Sequence, residues 1–203
     1  MHLIVTDLAC VRGGRTLYDG LSFSLAEGGA VLITGPNGSG KTSLLRQIAG
    51  LLPLDAGSVS LDGGKSISEE AHFVGHLSAC KDALTVGENL DFWRDLYGRP
   101  RHSVEGALEM LRLSALKDLP ARVLSAGQKR RLALSRLAAV ERPLWLLDEP
   151  DAALDAEGRA TLIGLIREHR AKGGMAVIAS HGTLDVAPSR EISLGASTKA
   201  VAA

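Results

Sequence analysis

The segment from Gly35 to Thr42 constrains the fold of this 203-residue chain more than any other feature. It reads Gly-Pro-Asn-Gly-Ser-Gly-Lys-Thr, follows a short apolar run at residues 30–34 and precedes a helical pattern at residues 42–49. Glycines let successive backbone N–H groups point at one anion, and the helix that follows adds the positive end of its dipole. The pattern predicts a phosphate-binding loop between a buried strand and a helix, rather than an ordinary glycine-rich turn.

Within this loop, Lys41 and Thr42 carry the chemistry of a nucleoside triphosphate site. The Lys41 ammonium supplies a positive charge for the β- and γ-phosphates, and the Thr42 hydroxyl is placed to bind Mg²⁺. The residues predicted to surround the phosphates are Gly35, Pro36, Asn37, Gly38, Ser39, Gly40, Lys41, Thr42 and Ser43.

Two carboxylates follow another apolar run, at residues 144–147. Side chains at such a position emerge at the carboxyl edge of a parallel sheet, where these sheets bind ligands. We expect Asp148 to hold Mg²⁺ through water and Glu149 to orient and polarise an attacking water molecule. A pair of acids that merely cap the next turn is the weaker interpretation, because the phosphate loop is also present.

The succession of apolar runs and helical patterns predicts an α/β fold of the P-loop NTPase type, with a mainly parallel sheet between helices. Residues 1–76 and 125–195 are predicted to form a nucleotide-binding core with an N-terminal antiparallel β lobe, residues 77–124 an inserted helical lobe, and residues 196–203 a frayed tail. Strands are predicted at residues 2–9, 16–18, 21–25, 30–34, 58–61, 72–74, 144–147, 175–180 and 191–194, and helices at residues 42–49, 85–96, 103–113, 125–138 and 155–170.

Two of the predicted helices begin with a capping box, formed by Thr85 with Glu88 and by Ser125 with Gln128. The second box contains Gly127, so its helix end exposes backbone N–H groups to an anion. Within one chain, Lys41 already serves the phosphate.

With the phosphate loop upstream and the two carboxylates downstream, the pentapeptide Leu-Ser-Ala-Gly-Gln at residues 124–128 resembles the signature of ABC ATPases, and the resemblance covers essentially the whole chain. It implies an ATP-hydrolysing domain whose signature helix faces the γ-phosphate held by a second copy. The resemblance therefore implies a homodimer with ATP and Mg²⁺ between its subunits. In that dimer Ser125, Gly127 and Gln128 would contact the partner's nucleotide.

Three further residues take roles from the same resemblance. Tyr18 stands where the family stacks an aromatic ring on adenine, although an ordinary hairpin tyrosine is the alternative. Asp155 belongs to the segment that matches the family's D-loop, and it also suits a helix cap; Ala152 replaces the hydroxyl residue usual in that loop. His181 matches the switch histidine that senses the γ-phosphate, which completes a catalytic set with Lys41 and Glu149.

Leu77 is the main departure from the family. The family places a glutamine at the entrance to the helical lobe, where it contacts Mg²⁺ and couples the nucleotide state to the transporter. Leu77 cannot coordinate a metal, and the glutamines of this chain, Gln47 and Gln128, lie elsewhere in the sequence. We expect water or the neighbouring His76 to take the vacant position, with slower or more weakly coupled hydrolysis.

Charge and composition exclude several classes of protein. The formal net charge of zero gives no support for a nucleic-acid partner, so the basic cluster Lys129, Arg130, Arg131 and Arg136 is interpreted as a solvated helix face with local ion pairs. No apolar run approaches the length of a membrane span, and the first residues lack the basic region of a secretory signal. Two cysteines, Cys10 and Cys80, are expected to be small buried residues in a reducing cytoplasmic setting.

Within the ABC family, the stretches at residues 31–46, 74–76, 84–93, 124–131 and 142–150 are similar to the haem-exporter ATP-binding subunits of bacterial cytochrome c maturation. That likeness implies peripheral docking on the cytoplasmic face of the inner membrane, through multispanning CcmB-like and CcmC-like subunits. ATP hydrolysis there would drive release of a haem-loaded chaperone. The ATPase subunit of another small importer or exporter, and a weakly hydrolysing nucleotide-gated scaffold, remain alternatives.

Overall fold

A computed structural model describes residues 1–181 and 184–195 of the chain. The segment 196–203, expected above to be a frayed tail, lies outside the described residues. Within the described part, two β-sheets and a set of helices enclose two apolar cores.

The strands are β1 (His2–Arg12), β2 (Arg15–Ala26), β3 (Ala30–Thr34), β4 (Ala56–Leu61), β5 (Ala71–Val74), β6 (Leu144–Asp148), β7 (Met175–Ala179) and β8 (Arg190–Ser193). The α-helices are α1 (Lys41–Ile48), α2 (Ile67–Glu70), α3 (Val86–Tyr97), α4 (Val104–Met110), α5 (Ala126–Ala139) and α6 (Ala156–Ala171). Two short 3₁₀ turns, Ser114–Leu116 and Ala121–Val123, lie between α4 and α5. The sequence does not predict α2, because four residues are too few to show a helical period.

The N-terminal sheet is antiparallel, with the strand order β2-β1-β4. A two-residue turn at Gly13 and Gly14 joins β1 to β2, and both glycines have the positive φ that a tight hairpin turn needs (56° and 74°). Pairing continues up to this turn, where Arg12 stands opposite Arg15. The hairpin is therefore longer than predicted, with β1 extending past residue 9 and one continuous β2 in place of two pieces.

The second sheet has five parallel strands in the order β5-β6-β7-β3-β8. Alternate side chains of β3 enter different cores. Val31 and Ile33 pack in the core shared with α1 and the antiparallel sheet, whereas Ala30 and Leu32 pack in the core shared with α5 and α6. Burial on both faces explains why the central strands β3, β6 and β7 are apolar along almost their whole length. The predicted α/β fold with a parallel sheet and an antiparallel β lobe is confirmed.

Between β5 and α5 the regular elements of the described chain are helical, namely α3, α4 and the two 3₁₀ turns. The capping box that opens α3 is confirmed, since Thr85 Oγ1 accepts from the Glu88 N–H (3.1 Å) and Glu88 Oε2 accepts from the Thr85 N–H (2.7 Å). Both α3 and α4 pack against α5. Among residues 1–181 and 184–195, none of the helices combines the length and apolar character needed to cross a bilayer.

Two histidines are buried within the fold. His169 of α6 stacks on Trp145 of β6 with 3.9 Å between ring centroids, and its Nε2 contacts the Met175 carbonyl oxygen at 3.2 Å. His72 of β5 places its Nε2 3.1 Å from the Val140 carbonyl oxygen. Burial lowers the pKa of His169 to about 4 and the pKa of His72 to about 3. Both rings are therefore neutral near pH 7.

We expect the free energy of unfolding to fall as the pH drops below about 6.5, because the unfolded chain then binds protons that the folded chain excludes. For His169 this loss runs from the ordinary pKa of 6.5 down to about 4, and it reaches about 2 kcal/mol at pH 5. Urea unfolding at pH 7 and pH 5 measures it. In His169→Gln, the difference between the two pH values should shrink by that amount. An unchanged difference would contradict the neutral buried ring.

Candidate functional site

The loop between β3 and α1 needs glycine at two positions. Gly35 has a φ of 137°, and a Cβ there would lie 2.3 Å from the Leu194 carbonyl oxygen. Gly40 has a φ of 103° and precedes α1 without a side-chain cap. The first N–H groups of α1 are therefore left for a ligand, as a phosphate-binding loop requires.

Lys41 reaches back over the loop that precedes it. Its Nζ donates to the carbonyl oxygens of Gly35 (2.8 Å) and Pro36 (3.3 Å), and the residue is only 5% exposed. The loop opens on a recess of about 450 Å³ lined by residues 37–43, Arg12, Leu17 and Glu149. A buried cation beside exposed backbone amides makes this recess attractive to a polyanion. We call it the phosphate-loop recess.

Thr42 and Asp148 meet at the base of the loop. Thr42 Oγ1 donates to Asp148 Oδ2 at 2.9 Å, while Asp148 is 1% exposed and its other oxygen, Oδ1, is buried without a hydrogen-bond partner. A hydroxyl and a carboxylate are oxygen donors that suit Mg²⁺, which keeps several waters and takes substrate phosphates as further ligands. Among residues 1–181 and 184–195, no cluster of three or more His, Cys, Asp or Glu offers an all-protein metal site. The buried, unpartnered Oδ1 fits an ion that arrives with the nucleotide.

Glu149 stands between two histidines at the end of β6. Its Oε1 lies 3.0 Å from His181 Nε2, and its Oε2 lies 4.0 Å from His76 Nδ1. The backbone of Glu149 has a φ of 47°, a conformation that costs energy for a non-glycine residue, and its N–H donates to the Ala179 carbonyl. This strained turn directs the Glu149 side chain into the phosphate-loop recess.

Arg130 of α5 is a site residue that the sequence analysis missed. It is 3% exposed, and its guanidinium donates to four carbonyl oxygens, those of Gly75 (2.7 Å), Asp148 (2.9 Å), Glu149 (2.6 Å) and Pro150 (3.1 Å). Burial lowers its pKa. Arg130 therefore ties α5 to the backbone on either side of Glu149.

The interpretation of the basic cluster as a solvated face is wrong for half of its members. Lys129 and Arg131 form ion pairs with Asp82 (2.7 Å) and Asp155 (2.6 Å), as expected. Arg136, in contrast, is buried, lies 4.4 Å above the Trp93 ring and has its pKa lowered to about 10 by burial. A run of basic letters contains no signal that separates the buried Arg130 and Arg136 from Lys129 and Arg131, whose side chains are 29% and 15% exposed.

The signature helix end is formed as predicted. Ser125 Oγ accepts from the Gln128 N–H (3.2 Å), and Gln128 Oε1 accepts from the Ser125 N–H (2.8 Å). A Cβ on Gly127 would lie 3.0 Å from the Ala153 carbonyl oxygen, so only a residue without a side chain fits comfortably there. The phosphate-loop recess includes none of residues 125–128. The phosphate-loop recess and the capped end of α5 are thus separate surfaces.

Tyr18 does not lie where adenine stacking would need it. The residue is 2% exposed, its hydroxyl donates to Gln47 Oε1 at 2.7 Å, and its ring packs against Gly40. Burial raises the pKa of Tyr18, with a further contribution from the nearby Cys10. Neither face of the ring is free to receive a base, so the stacking role predicted for Tyr18 is corrected: in this structure it is a core residue beneath the loop.

The remaining expected residues lie on the surface around the site. Asp155 caps α6 by accepting from the Gly158 N–H (2.8 Å), and it also pairs with Arg131. These two contacts give Asp155 a structural role within one chain. Ala152 lies near residues 126 and 129 at a second recess. Leu77 is 80% exposed and lines an apolar groove of about 400 Å³ together with Phe73.

Comparison with known sequences agrees with this geometry. The family model described as "ABC transporter" matches residues 18–152. A cytochrome c biogenesis ATP-binding export protein CcmA of Nitrobacter winogradskyi is 50% identical over 96% of this chain and 98% of that protein. Proteins of the same name from Rhodopseudomonas palustris and Bradyrhizobium diazoefficiens are each 48% identical, over 97% and 96% of this chain and 99% and 98% of theirs.

Solved structures show the same fold. A putative ABC transporter ATP-binding protein of Pyrococcus furiosus matches with a TM-score of 0.81 and 25% identity, over 96% of this chain and 98% of that chain. A bacterial Atm1-family ABC exporter with ATP bound matches with a TM-score of 0.83 and 22% identity, over 95% of this chain and 37% of the exporter. The second likeness concerns the fold alone.

Arg130→Met should lower the free energy of unfolding by about 2 to 4 kcal/mol, because four buried carbonyl groups lose a charged donor. Lys129→Met on the same helix is the matched control, since it breaks only a surface ion pair and should change stability by less than about 1 kcal/mol. Urea unfolding of both variants measures the difference. Equal effects of the two substitutions would contradict the role given to Arg130.

Proposed function

The chain belongs to the ABC transporter family, among its cytochrome c biogenesis ATP-binding export proteins, and we propose that it is the ATP-hydrolysing subunit of a membrane complex in cytochrome c maturation. In this role ATP hydrolysis powers haem export or the release of a haem-loaded chaperone. The observation that carries the enzymatic part is the convergence of Lys41, the Thr42–Asp148 pair and the Glu149–His181 pair at one recess.

Binding of the triphosphate follows from the loop. The ligand's β- and γ-phosphate oxygens replace the Gly35 and Pro36 carbonyls as partners of Lys41 Nζ, while the amides of the loop and of the first turn of α1 donate to the same phosphates. The cofactor-binding set that we propose is therefore the full loop, Gly35, Pro36, Asn37, Gly38, Ser39, Gly40, Lys41, Thr42 and Ser43.

The metal site that we propose consists of Thr42 and Asp148. Bound Mg²⁺ would neutralise part of the phosphate charge. Thr42 Oγ1 and Asp148 Oδ2 already lie 2.9 Å apart, and the unpartnered Oδ1 supplies further oxygen capacity. The protein's part is to hold the Thr42 hydroxyl and the buried Asp148 carboxylate in place before the nucleotide arrives.

Glu149 is the proposed general base. Its carboxylate orients a water molecule toward the γ-phosphorus and accepts the water's proton as the new P–O bond forms, while the bond from the γ-phosphorus to the bridging oxygen breaks and ADP leaves. His181, at 3.0 Å, holds the Glu149 carboxylate and can donate to a γ-phosphate oxygen. Lys41 stabilises the charge that develops on the phosphate oxygens.

The capped end of α5 supports a homodimer. Ser125, Gly127 and Gln128 present a helix N-terminus outside the phosphate-loop recess, so they can serve only a phosphate held by another molecule. We propose that two copies pair head to tail and that each signature helix closes the partner's site. Asp155, which accepts a hydrogen bond from Arg131 of the same helix, would complete this surface.

The complex that we propose places the homodimer on the cytoplasmic face of the inner membrane, against multispanning subunits of the CcmB and CcmC kind. Residues 1–76 and 125–195 would act as the nucleotide-binding core and residues 77–124 as the helical lobe between nucleotide and partner. Leu77 stands at the junction of the two, beside an exposed apolar groove. Because Leu77 offers no ligand oxygen, we propose that water or His76, whose Nδ1 lies 4.0 Å from Glu149 Oε2, takes the place of the missing glutamine.

Glu149→Gln should still bind ATP but hydrolyse it at least about 100-fold more slowly, since the amide orients water without accepting its proton. The trapped nucleotide should hold the dimer closed, which size-exclusion chromatography with ATP and Mg²⁺ detects. Glu157→Gln, on the exposed surface of α6, makes the same charge change and should hydrolyse normally. Lys41→Ala should lose nucleotide binding altogether. Near-normal turnover of Glu149→Gln would refute the assignment.

Leu77→Gln should raise ATP turnover in the assembled complex about fivefold, the effect of roughly 1 kcal/mol from one added hydrogen-bonding group. Leu51→Gln, an exposed leucine of the same groove, is the control and should change nothing. If Leu77→Gln leaves turnover and partner stimulation unchanged, the idea of a weakened coupling site is wrong. If the complex with the natural Leu77 releases no phosphate at all, the alternative of a nucleotide-gated scaffold replaces the enzymatic proposal.

A further inference from the structure

The burial of Tyr18 leaves open what holds the nucleoside end of the ligand. The chain has seven aromatic residues, three Phe, two Tyr and two Trp. Three lie on α3, three are buried in the core at 4% exposure or less, and Phe73 lies on β5. Among the residues that the structure describes, no aromatic side chain lines the phosphate-loop recess.

Two other side chains of the N-terminal hairpin do line that recess, Arg12 and Leu17. Leu17 packs beside the loop, since its Cβ lies 3.2 Å from the position that a Cβ on Gly40 would take. Arg12 is the last residue of β1, next to the Gly13 turn. Arg12 and Leu17 therefore form the part of the recess wall that neither the phosphate loop nor Glu149 supplies.

The Arg12 guanidinium is held in place by one of its nitrogens. Nη1 donates to the Val11 carbonyl oxygen (2.6 Å) and to Asp55 Oδ2 (3.0 Å), and Asp55 Oδ2 also accepts from the Val11 N–H (2.9 Å). The Arg12 side chain is 37% exposed, so a large part of it remains accessible. The pair with Asp55 fixes the planar group at the edge of the recess and offsets its charge.

We propose that Arg12 and Leu17 bind the base of the nucleotide, with the Arg12 guanidinium plane stacked on the purine. Arginine stacks on aromatic rings through its delocalised planar cation, whereas lysine presents only a point charge. In the proposed function, Lys41 and the loop amides already bind the phosphates, and Asp55 offsets the charge of Arg12. Arg12 therefore contributes its planar face, rather than its charge, to nucleotide binding. This inference rests on the proposed binding of ATP at the phosphate loop.

Stacking predicts weak discrimination between bases. Every base has a π face, and a stacked plane does not read the hydrogen-bonding edge of the ring. Leu17 contributes apolar contact without a donor or acceptor. ATP and GTP should therefore bind with affinities within about threefold of each other.

The test is calorimetric titration of the full chain with ATP, GTP and inorganic tripolyphosphate, each with Mg²⁺. Arg12→Ala should lower the affinity for ATP and for GTP by about 3- to 10-fold and leave the affinity for tripolyphosphate unchanged. Arg12→Tyr should restore the ATP affinity because it supplies a ring face. Arg12→Lys keeps the ion pair with Asp55 but lacks the planar guanidinium, so its affinity for ATP should stay low. This variant replaces Arg12→Ala in the test if Arg12→Ala unfolds.

Arg15→Ala is the matched control, because Arg15 faces Arg12 across the turn and lies outside the recess. It should bind all three ligands normally. Equal weakening of ATP and tripolyphosphate by Arg12→Ala would overturn the proposal in favour of a phosphate contact. Full ATP affinity in both Arg12→Ala and Arg12→Lys would overturn it as well. A natural chain that binds neither ATP nor tripolyphosphate would instead overturn the proposed function on which it rests.

Discussion

The hydrogen bond between Thr42 Oγ1 and Asp148 Oδ2 joins two parts of the chain that are 106 residues apart, and the site is organised around this contact. Parallel pairing makes it possible, since β6, β7 and β3 are neighbours and end at the same edge of the sheet. The phosphate loop leaves β3, the carboxylates leave β6 and His181 follows β7. The adjacency of β6, β7 and β3 brings these groups together, so it is the constraint on which the proposed chemistry depends.

Arg130 adds a mechanical link to that edge. It lies on α5, whose capped end carries the signature, and its guanidinium bonds to the backbone of both Asp148 and Glu149 as well as to Gly75 after β5. Because the contacts are buried and charged, α5 cannot shift without pulling on the strained turn that aims Glu149. One side chain thereby connects α5, whose capped end we propose to face a partner subunit, with the proposed catalytic carboxylate and with Gly75 before the helical segment.

The local features were predictable because each rests on short-range rules. Glycine spacing defines the loop, a Ser-x-x-Gln pattern defines the cap at Ser125, and unbroken apolar runs define strands buried on both faces. Burial of individual polar residues was not predictable in this way. Tyr18 becomes a core residue only because β1 and β2 fold over α1 and bring it to Gln47. Arg130 and Lys129 are neighbours on α5, but Arg130 lies on the side that meets the end of β6 and Lys129 does not. A run of basic residues does not show which side of the helix each of them takes.

Within one subunit the proposed site is open on one side. In the proposed function, the loop and Lys41 would hold one end of the triphosphate and Glu149 and His181 would lie at the other. The capped end of α5 points its free amides at a different surface. A helix N-terminus left uncovered is an anion site without its anion. The homodimer that we propose would satisfy both needs together, because the exposed phosphates of one subunit would meet the uncovered helix of the other. Hydrolysis would then be linked to the opening and closing of that dimer, since loss of the γ-phosphate removes the anion that the two surfaces share.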